Sequence, residues 1–177
     1  MRIVVTCGPS FDPIGEVRRI TNFSTGELGT MLANALTRAG HRVICFRGAA
    51  AANPARLTHA GQIAFTTNDD LLARLEALPQ RENVHAVFHA AALSDFKVQH
   101  DPGARKIPSR HGPLTLTLLP ATKLIDRLPA LFPGGRGGAL RGGVTARPGR
   151  TGRGSPRKIN SCTNLEQRLR KPPAPPD

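Results

Sequence analysis

The sequence has no Trp and no Tyr, only three Cys, and 12 acidic residues against 25 Lys plus Arg. With seven Phe as its entire aromatic stock, the chain draws its apolar content from Ala, Leu, Val and Ile, which suits layered α/β packing better than an aromatic-rich β-sandwich. Cys7, Cys45 and Cys162 are odd in number and far apart, without a C-x-x-C or H-x-x-H partner, so neither a disulfide framework nor a zinc site is expected. Each reads instead as a small residue in or near a core. No run approaches the ~20 apolar residues of a membrane span. The start, Met1-Arg2-Ile3-Val4-Val5-Thr6, falls short of the roughly 7 to 15 apolar residues of a signal peptide. A cytoplasmic protein with no membrane partner is expected.

What is present falls into two parts. A chain of 177 residues has room for one ordinary domain of roughly 100 to 150 residues. After Pro133 the remaining 44 residues hold nine Gly and six Pro, with ten basic residues against Glu166 and Asp177, a local net charge of +8 out of +13. Apolar periodicity disappears there. Such composition cannot bury enough surface to offset its conformational entropy, so residues 133–177 are expected to be a disordered basic tail. A tail that binds nucleic acid would be expected to carry aromatic stacking residues, which are lacking, and no nucleic-acid partner is expected. Because Gly, Arg and Pro codons are GC-rich, out-of-frame translation is a second origin for this composition, testable by resequencing around the Pro133 codon.

Within residues 1–132 the pattern alternates. Ile3 to Thr6 is a β-branched run ended by Gly8-Pro9, the signature of a buried central strand. Residues 27–39 space Leu28, Met31, Leu32, Ala35 and Leu36 as one helical stripe, with Gly40 as the stop. Arg42 to Phe46 and Gln62 to Thr66 read as strands, and Ala49 to Ala55 as a loop or frayed helix. Asn68 to Leu78 reads as a helix with Asn68 as N-cap, and Val84 to His89 as another strand. Leu114 to Leu118 alternates with Thr. Residues 122–131 carry the stripe Leu124, Ile125, Leu128 and Leu131 of a further helix. The order β-α-β-β-α-β with near-continuous apolar strands predicts a Rossmann-like, three-layer α/β fold with a mostly parallel sheet, incomplete at its C-terminal edge.

Ligands of such sheets bind at the carboxyl ends of the strands, and three segments fall there. The first runs from Thr6 to Gly29 and places Gly26 and Gly29 at the mouth of a helix, where free N–H groups suit an anion. It lacks the G-x-G-x-x-G spacing, and Asn22, Ser24 and Thr25 could equally be simple helix caps. The second, His89 to Phe96, combines small residues that let a ligand approach the backbone with Asp95 as an acceptor; a turn Asp is the plainer reading. In the third, Gly103 to Arg110, Lys106 or Arg105 could neutralise phosphate charge, or be ordinary surface charge.

Together these segments resemble a known family. Val5-Thr6-Cys7-Gly8-Pro9-Ser10-Phe11-Asp12-Pro13-Ile14 followed by Val17-Arg18-Arg19-Ile20-Thr21-Asn22-Phe23-Ser24-Thr25-Gly26-x-x-Gly29 is similar to the T-x-G-x-T-x-E-P-I-D…V-R-x-I-x-N-x-S-S-G-x-x-G signature of phosphopantothenoylcysteine synthetases. Ala90-Ala91-Ala92-Leu93-Ser94-Asp95-Phe96 resembles their A-A-x-x-D-[YF] segment. Lys106-Ile107 resembles their K-I motif, and Leu119-Pro120-Ala121-Thr122-Lys123-Leu124-Ile125 the nucleotide-contacting stretch after it. The family's G-F-x-x-E-T strand, its two-lysine helix and its Asn-Asp strand end find no counterpart after Pro133.

The resemblance implies coenzyme A biosynthesis: ligation of 4'-phosphopantothenate to cysteine through an acyl-cytidylate made with CTP, or ATP in some relatives, together with Mg²⁺. It implies a nucleotide site at Gly8, Ala90, Ala91, Asp95, Lys106, Pro120, Ala121, Thr122 and Lys123. It also implies a substrate site at Asn22, Ser24, Thr25 and Gly26, with Lys106 on the triphosphate and the Asn22 amide holding the acyl-cytidylate. A homodimer is expected if the fold is complete. In many bacteria the domain follows a flavin-dependent decarboxylase, whereas this chain starts at the synthetase motif, so FMN is not expected. The alternative is a nucleotide-binding remnant of the family without ligase activity.

Overall fold

The structure, a computed structural model, describes residues 1–58, 60–99 and 113–139. Strand β1 (Arg2–Pro9) is buried from its second residue onward because it lies in the middle of the sheet. It pairs in parallel with β4 (Arg42–Gly48) on one side and β6 (Ala86–Ala92) on the other. β5 (Gly61–Phe65) adds beside β4, and β9 (Arg136–Ala139) beside β6, again in parallel. The resulting order β5-β4-β1-β6-β9 reverses direction between β1 and β6, which is the switch point where a crevice opens at the strand ends.

Two short antiparallel ribbons stand outside this sheet. β2 (Phe11–Pro13) pairs with β3 (Arg19–Thr21) inside the long segment between β1 and the first helix, where the guanidinium of Arg19 lies 4.9 Å from the Phe11 ring centre. β7 (Phe96–Val98) pairs with β8 (Leu118–Pro120). Of the Leu/Thr alternation from Leu114, only Leu118 joins a strand.

Helix α1 (Glu27–Arg38) covers one face of the sheet and α2 (Asn68–Glu76) the other, joined there by α3 (Leu128–Leu131). Side chains alternate faces along a strand. Val4, Phe46 and Val87 accordingly meet Phe65, Leu71, Leu75, Leu124, Leu128 and Phe132 in one core layer. Ile3, Val5, Cys7, Val43 and Cys45 face α1 and are buried with Leu32, Ala33 and Leu36.

Four sequence expectations change. The buried face of α1 consists of Gly29, Thr30, Leu32, Ala33 and Leu36, while Leu28 and Met31 are exposed. The helix approaches β1 so closely at its first turn that a Cβ on Gly29 would stand 2.2 Å from Cys7 Cβ, so Gly29 and Thr30 must face inward there in place of Leu28 and Met31, while Leu32 and Leu36 fill the wider gap further along. The cap of α2 is Thr67, whose hydroxyl accepts from Asp70 N; Asn68 turns instead to Ser94, donating to its carbonyl at 2.7 Å and accepting from its N–H at 3.3 Å. The continuous helix expected over 122–131 is a 3-10 turn at Leu124–Asp126 followed by α3 with Pro129 in its first turn. Pro129 has no N–H to continue the ladder and tolerates only a helix start. Finally, within the stretch 133–177 expected to be a disordered tail, Arg136–Ala139 forms β9, a sequence without strand propensity that gains its backbone partners from β6; residues 140–177 lie outside the described residues.

Candidate functional site

At the switch point β1 and β6 end side by side, with Cys7 opposite Ala90 and Gly8 opposite Ala91. Gly8 has φ +79 and Gly26 φ +76, and a Cβ on Gly26 would lie 3.2 Å from Gly8 Cα. Two glycines in the left-handed region therefore let the start of α1 sit directly on the end of β1. Gly26 is the N-cap of α1 and offers no side-chain cap, while Thr25 Oγ1 accepts from Glu27 N at 3.3 Å. Thr25 O accepts from Asn53 N, and Ser24 N donates to Asn22 O. Of the three residues weighed as caps, only Thr25 does anything of that kind.

Asn22 ties this corner to β6. Its Nδ2 donates to Ala92 O at 3.1 Å and to Leu93 O at 2.9 Å, which uses both amide hydrogens and leaves Oδ1 without a partner among the described residues. Asn22, Gly8, Gly26, Ala90 and Ala91 are thus gathered at one end of the sheet although more than 60 residues separate the two groups.

Beside them, on the α2 face, lies an open cleft of about 290 Å³ lined by Asp95, Ala121, Thr122 and Lys123 together with Asn68, His89, Leu93, Ser94, Leu124 and Ile125. The β7–β8 ribbon builds it: Ala121 N donates to Asp95 O at 2.9 Å, which brings 121–125 back onto the loop after β6. Pro120 pairs with Phe96 in that ribbon and is not among the lining residues. Along β6, Ala91 shares the face of His89 and Ala90 takes the opposite one, so Ala90 can reach a ligand here only through its backbone. Lys106 and the rest of the third segment lie outside the described residues.

Sequence reasoning did not offer Asn68 as a lining residue, and it included His89 and Ser94 in the second segment without a role of their own. His89 had a signal of a kind, a lone imidazole at the carboxyl end of an apolar strand. Thr6 Oγ1 stands 2.7 Å from its Nδ1, and burial pushes the imidazole pKa below its usual value, so the ring is neutral near pH 7. On α2, burial opposes ionisation of Asp70, but hydrogen bonds from Thr66 N and Oγ1 and from Arg74 outweigh it and hold the carboxyl below its usual range. Cys7 and Cys45 are both buried, their sulfurs 3.6 Å apart, core residues as expected. Among the described residues no group of three or more His, Cys, Asp or Glu is placed to hold a metal ion, and no helix is long and apolar enough to cross a membrane.

Comparison with known proteins gives a consistent set of relatives. A family described as the DNA/pantothenate metabolism flavoprotein C-terminal domain matches residues 1–132. The chain is 34% identical over 133 residues to the coenzyme A biosynthesis bifunctional protein CoaBC of Thermococcus kodakarensis, covering 75% of this chain and 32% of that protein. It is 31% identical over 135 residues to the CoaBC protein of Bacillus subtilis, covering 71% of this chain and 30% of that one. The chain therefore spans about a third of the length of these curated relatives. The crystal structure of a DNA/pantothenate metabolism flavoprotein from Streptococcus pneumoniae superposes with a TM-score of 0.65 at 24% identity, over 77% of this chain and 67% of that one, and has the same fold.

Proposed function

The chain belongs to the DNA/pantothenate metabolism flavoprotein C-terminal domain family, and from that membership we propose that it acts in coenzyme A biosynthesis as a phosphopantothenate–cysteine ligase. The nucleotide, CTP or in its place ATP, occupies the cleft beside β6. The observation that carries this reading is the juxtaposition at the switch point: the lining of Asp95, Ala121, Thr122 and Lys123 adjoins the corner where Asn22 is bonded to the end of β6.

In this reading a carboxylate oxygen of 4'-phosphopantothenate attacks the α-phosphorus of CTP and pyrophosphate leaves, forming an acyl-cytidylate. The amine of cysteine then attacks the acyl carbon, CMP departs with the bridging oxygen, and the amine proton passes to solvent. The protein's task is positioning and charge management rather than covalent catalysis. Mg²⁺ would arrive with the triphosphate as part of the substrate and would offset its charge, since such ions need few protein ligands. Asp95 and the backbone at Ala90 and Ala91 hold the nucleoside, Ala121 to Lys123 line its other side, and Gly8 lets it approach β1. Lys106 neutralises triphosphate charge. Asn22, with Ser24, Thr25 and Gly26, holds the acyl group. Both Asn22 amide hydrogens serve β6, so Oδ1 is the atom free to accept from the incoming amine. The active species is a cytoplasmic homodimer.

The second reading, a nucleotide binder without ligase activity, is favoured by the missing counterparts of the family's distal strand and two-lysine helix after Pro133. Pyrophosphate release by the purified protein with Mg²⁺, CTP, 4'-phosphopantothenate and cysteine, with ATP in parallel, separates the two. Release that depends on phosphopantothenate supports the ligase. A folded protein that binds nucleotide and releases none leaves the binder.

A further inference from the structure

His89 takes no part in the chemistry just described, yet it lines the cleft from the strand at the switch point, opposite its register partner Thr6. The contact between them decides where the imidazole proton sits. Thr6 is fully buried, and its Oγ1 also accepts from Ala91 N at 3.4 Å. Its hydroxyl hydrogen has one acceptor among the described residues, His89 Nδ1 at 2.7 Å. If Nδ1 carried a proton, Oγ1 would face two N–H groups and its own hydrogen would be left unpaired in the core, a costly state. The chain Ala91 N–H to Thr6 O–H to His89 Nδ1 instead satisfies every member and puts the ring's proton on Nε2.

Nε2 has no partner among the described residues, and the same Thr6 contact fixes the ring's orientation. We propose that His89, held by Thr6 as the Nε2–H tautomer, is a specificity-determining donor of the cleft that recognises an uncharged acceptor of the bound nucleotide, a base carbonyl or a sugar oxygen. An uncharged acceptor fits because burial keeps the imidazole neutral near pH 7, so it offers a directed hydrogen bond without a charge for phosphate. This inference rests on the nucleotide reading of the same cleft.

Two measurements test it. Nitrogen-15 NMR of the imidazole in the ligand-free protein should show an acceptor-type Nδ1 and a protonated Nε2, and Thr6→Val should mix the tautomers; the reverse assignment overturns the proposal. Calorimetric titration with CTP and with ATP in Mg²⁺ then compares variants. Glutamine places its amide nitrogen near the position of Nε2 and asparagine near that of Nδ1. His89→Gln should therefore keep the affinity, while His89→Asn and His89→Leu lose roughly threefold to tenfold, the worth of one hydrogen bond. Equal affinities in the wild type and all three variants overturn the role of His89 and leave the nucleotide reading standing. A folded wild type that binds neither nucleotide overturns both.

Discussion

The side-chain amide of Asn22 donates to the backbone carbonyl of Leu93 at 2.9 Å, and the same nitrogen reaches Ala92 O at 3.1 Å. The bond fastens the loop before α1 to the end of β6, so the corner is rigid from both sides. Asn22→Ala should retain nucleotide binding and pyrophosphate release but lower release of the ligated product by roughly 10²-fold, as for other removed groups at a reacting centre. Because the site is exposed, the stability cost should be only about 1 kcal/mol. Product assays and urea midpoints on the same preparation separate the two effects, and full product formation would refute the role.

Gly29 and Gly40 are both glycines, and the structure ranks them differently. An added Cβ at Gly29 meets Cys7 Cβ at 2.2 Å, whereas Gly40, at φ +83, has nothing within 4 Å. Gly29→Ala must push α1 off β1 and should cost about 3 kcal/mol, at the upper end of overpacking. Gly40→Ala pays only left-handed strain, about 1 kcal/mol. Chemical denaturation of the two variants should preserve that order.

The cap of α2 offers a comparison of adjacent residues. Thr67→Ala removes the hydroxyl that accepts from Asp70 N and should lower stability by about 1 kcal/mol. Asn68→Ala spares the cap and breaks the two bonds to Ser94, so it should loosen the cleft and weaken nucleotide binding more than it lowers the melting temperature. Thermal melts and titrations on both variants check the contrast.

Asp70 links stability to pH. Its folded-state pKa is lowered, so its contribution is present above the unfolded carboxylate value of about 3.9 and is lost as the pH falls below that value through the folded one. Asp70→Asn should be less stable than the wild type at pH 7, and the difference should shrink as the pH is taken from about 5 towards 3. A constant difference across that window would exclude the linkage.

Legibility in the sequence followed the range of the interaction. The strand at Ile3 to Thr6 and the helices at residues 27–39 and 68–78 were legible because their cause is local: apolar spacing that matches one period. The Asn22 segment and the A-A-x-x-D segment were legible as motifs, although nothing in their spacing placed one against the other. Thr67 against Asn68 was not legible, because both are good caps and the choice turned on Ser94, 26 residues away. His89 was not legible either, since its value depends on Thr6, 83 residues distant.

The sequence by itself determined the order of the four strands β1, β4, β5 and β6 and of the helices α1 and α2, the α/β class, the family, and the residues that carry its motifs, because periodicity and residue type act within a few positions of the chain. The tertiary structure alone decided which side of α1 faces β1, that Arg-Gly-Gly-Ala becomes β9, and that residues 121–125 close a cleft over His89. Those outcomes depend on how near two backbones come and which buried donors find acceptors. Both are properties of segments joined only when the sheet has formed.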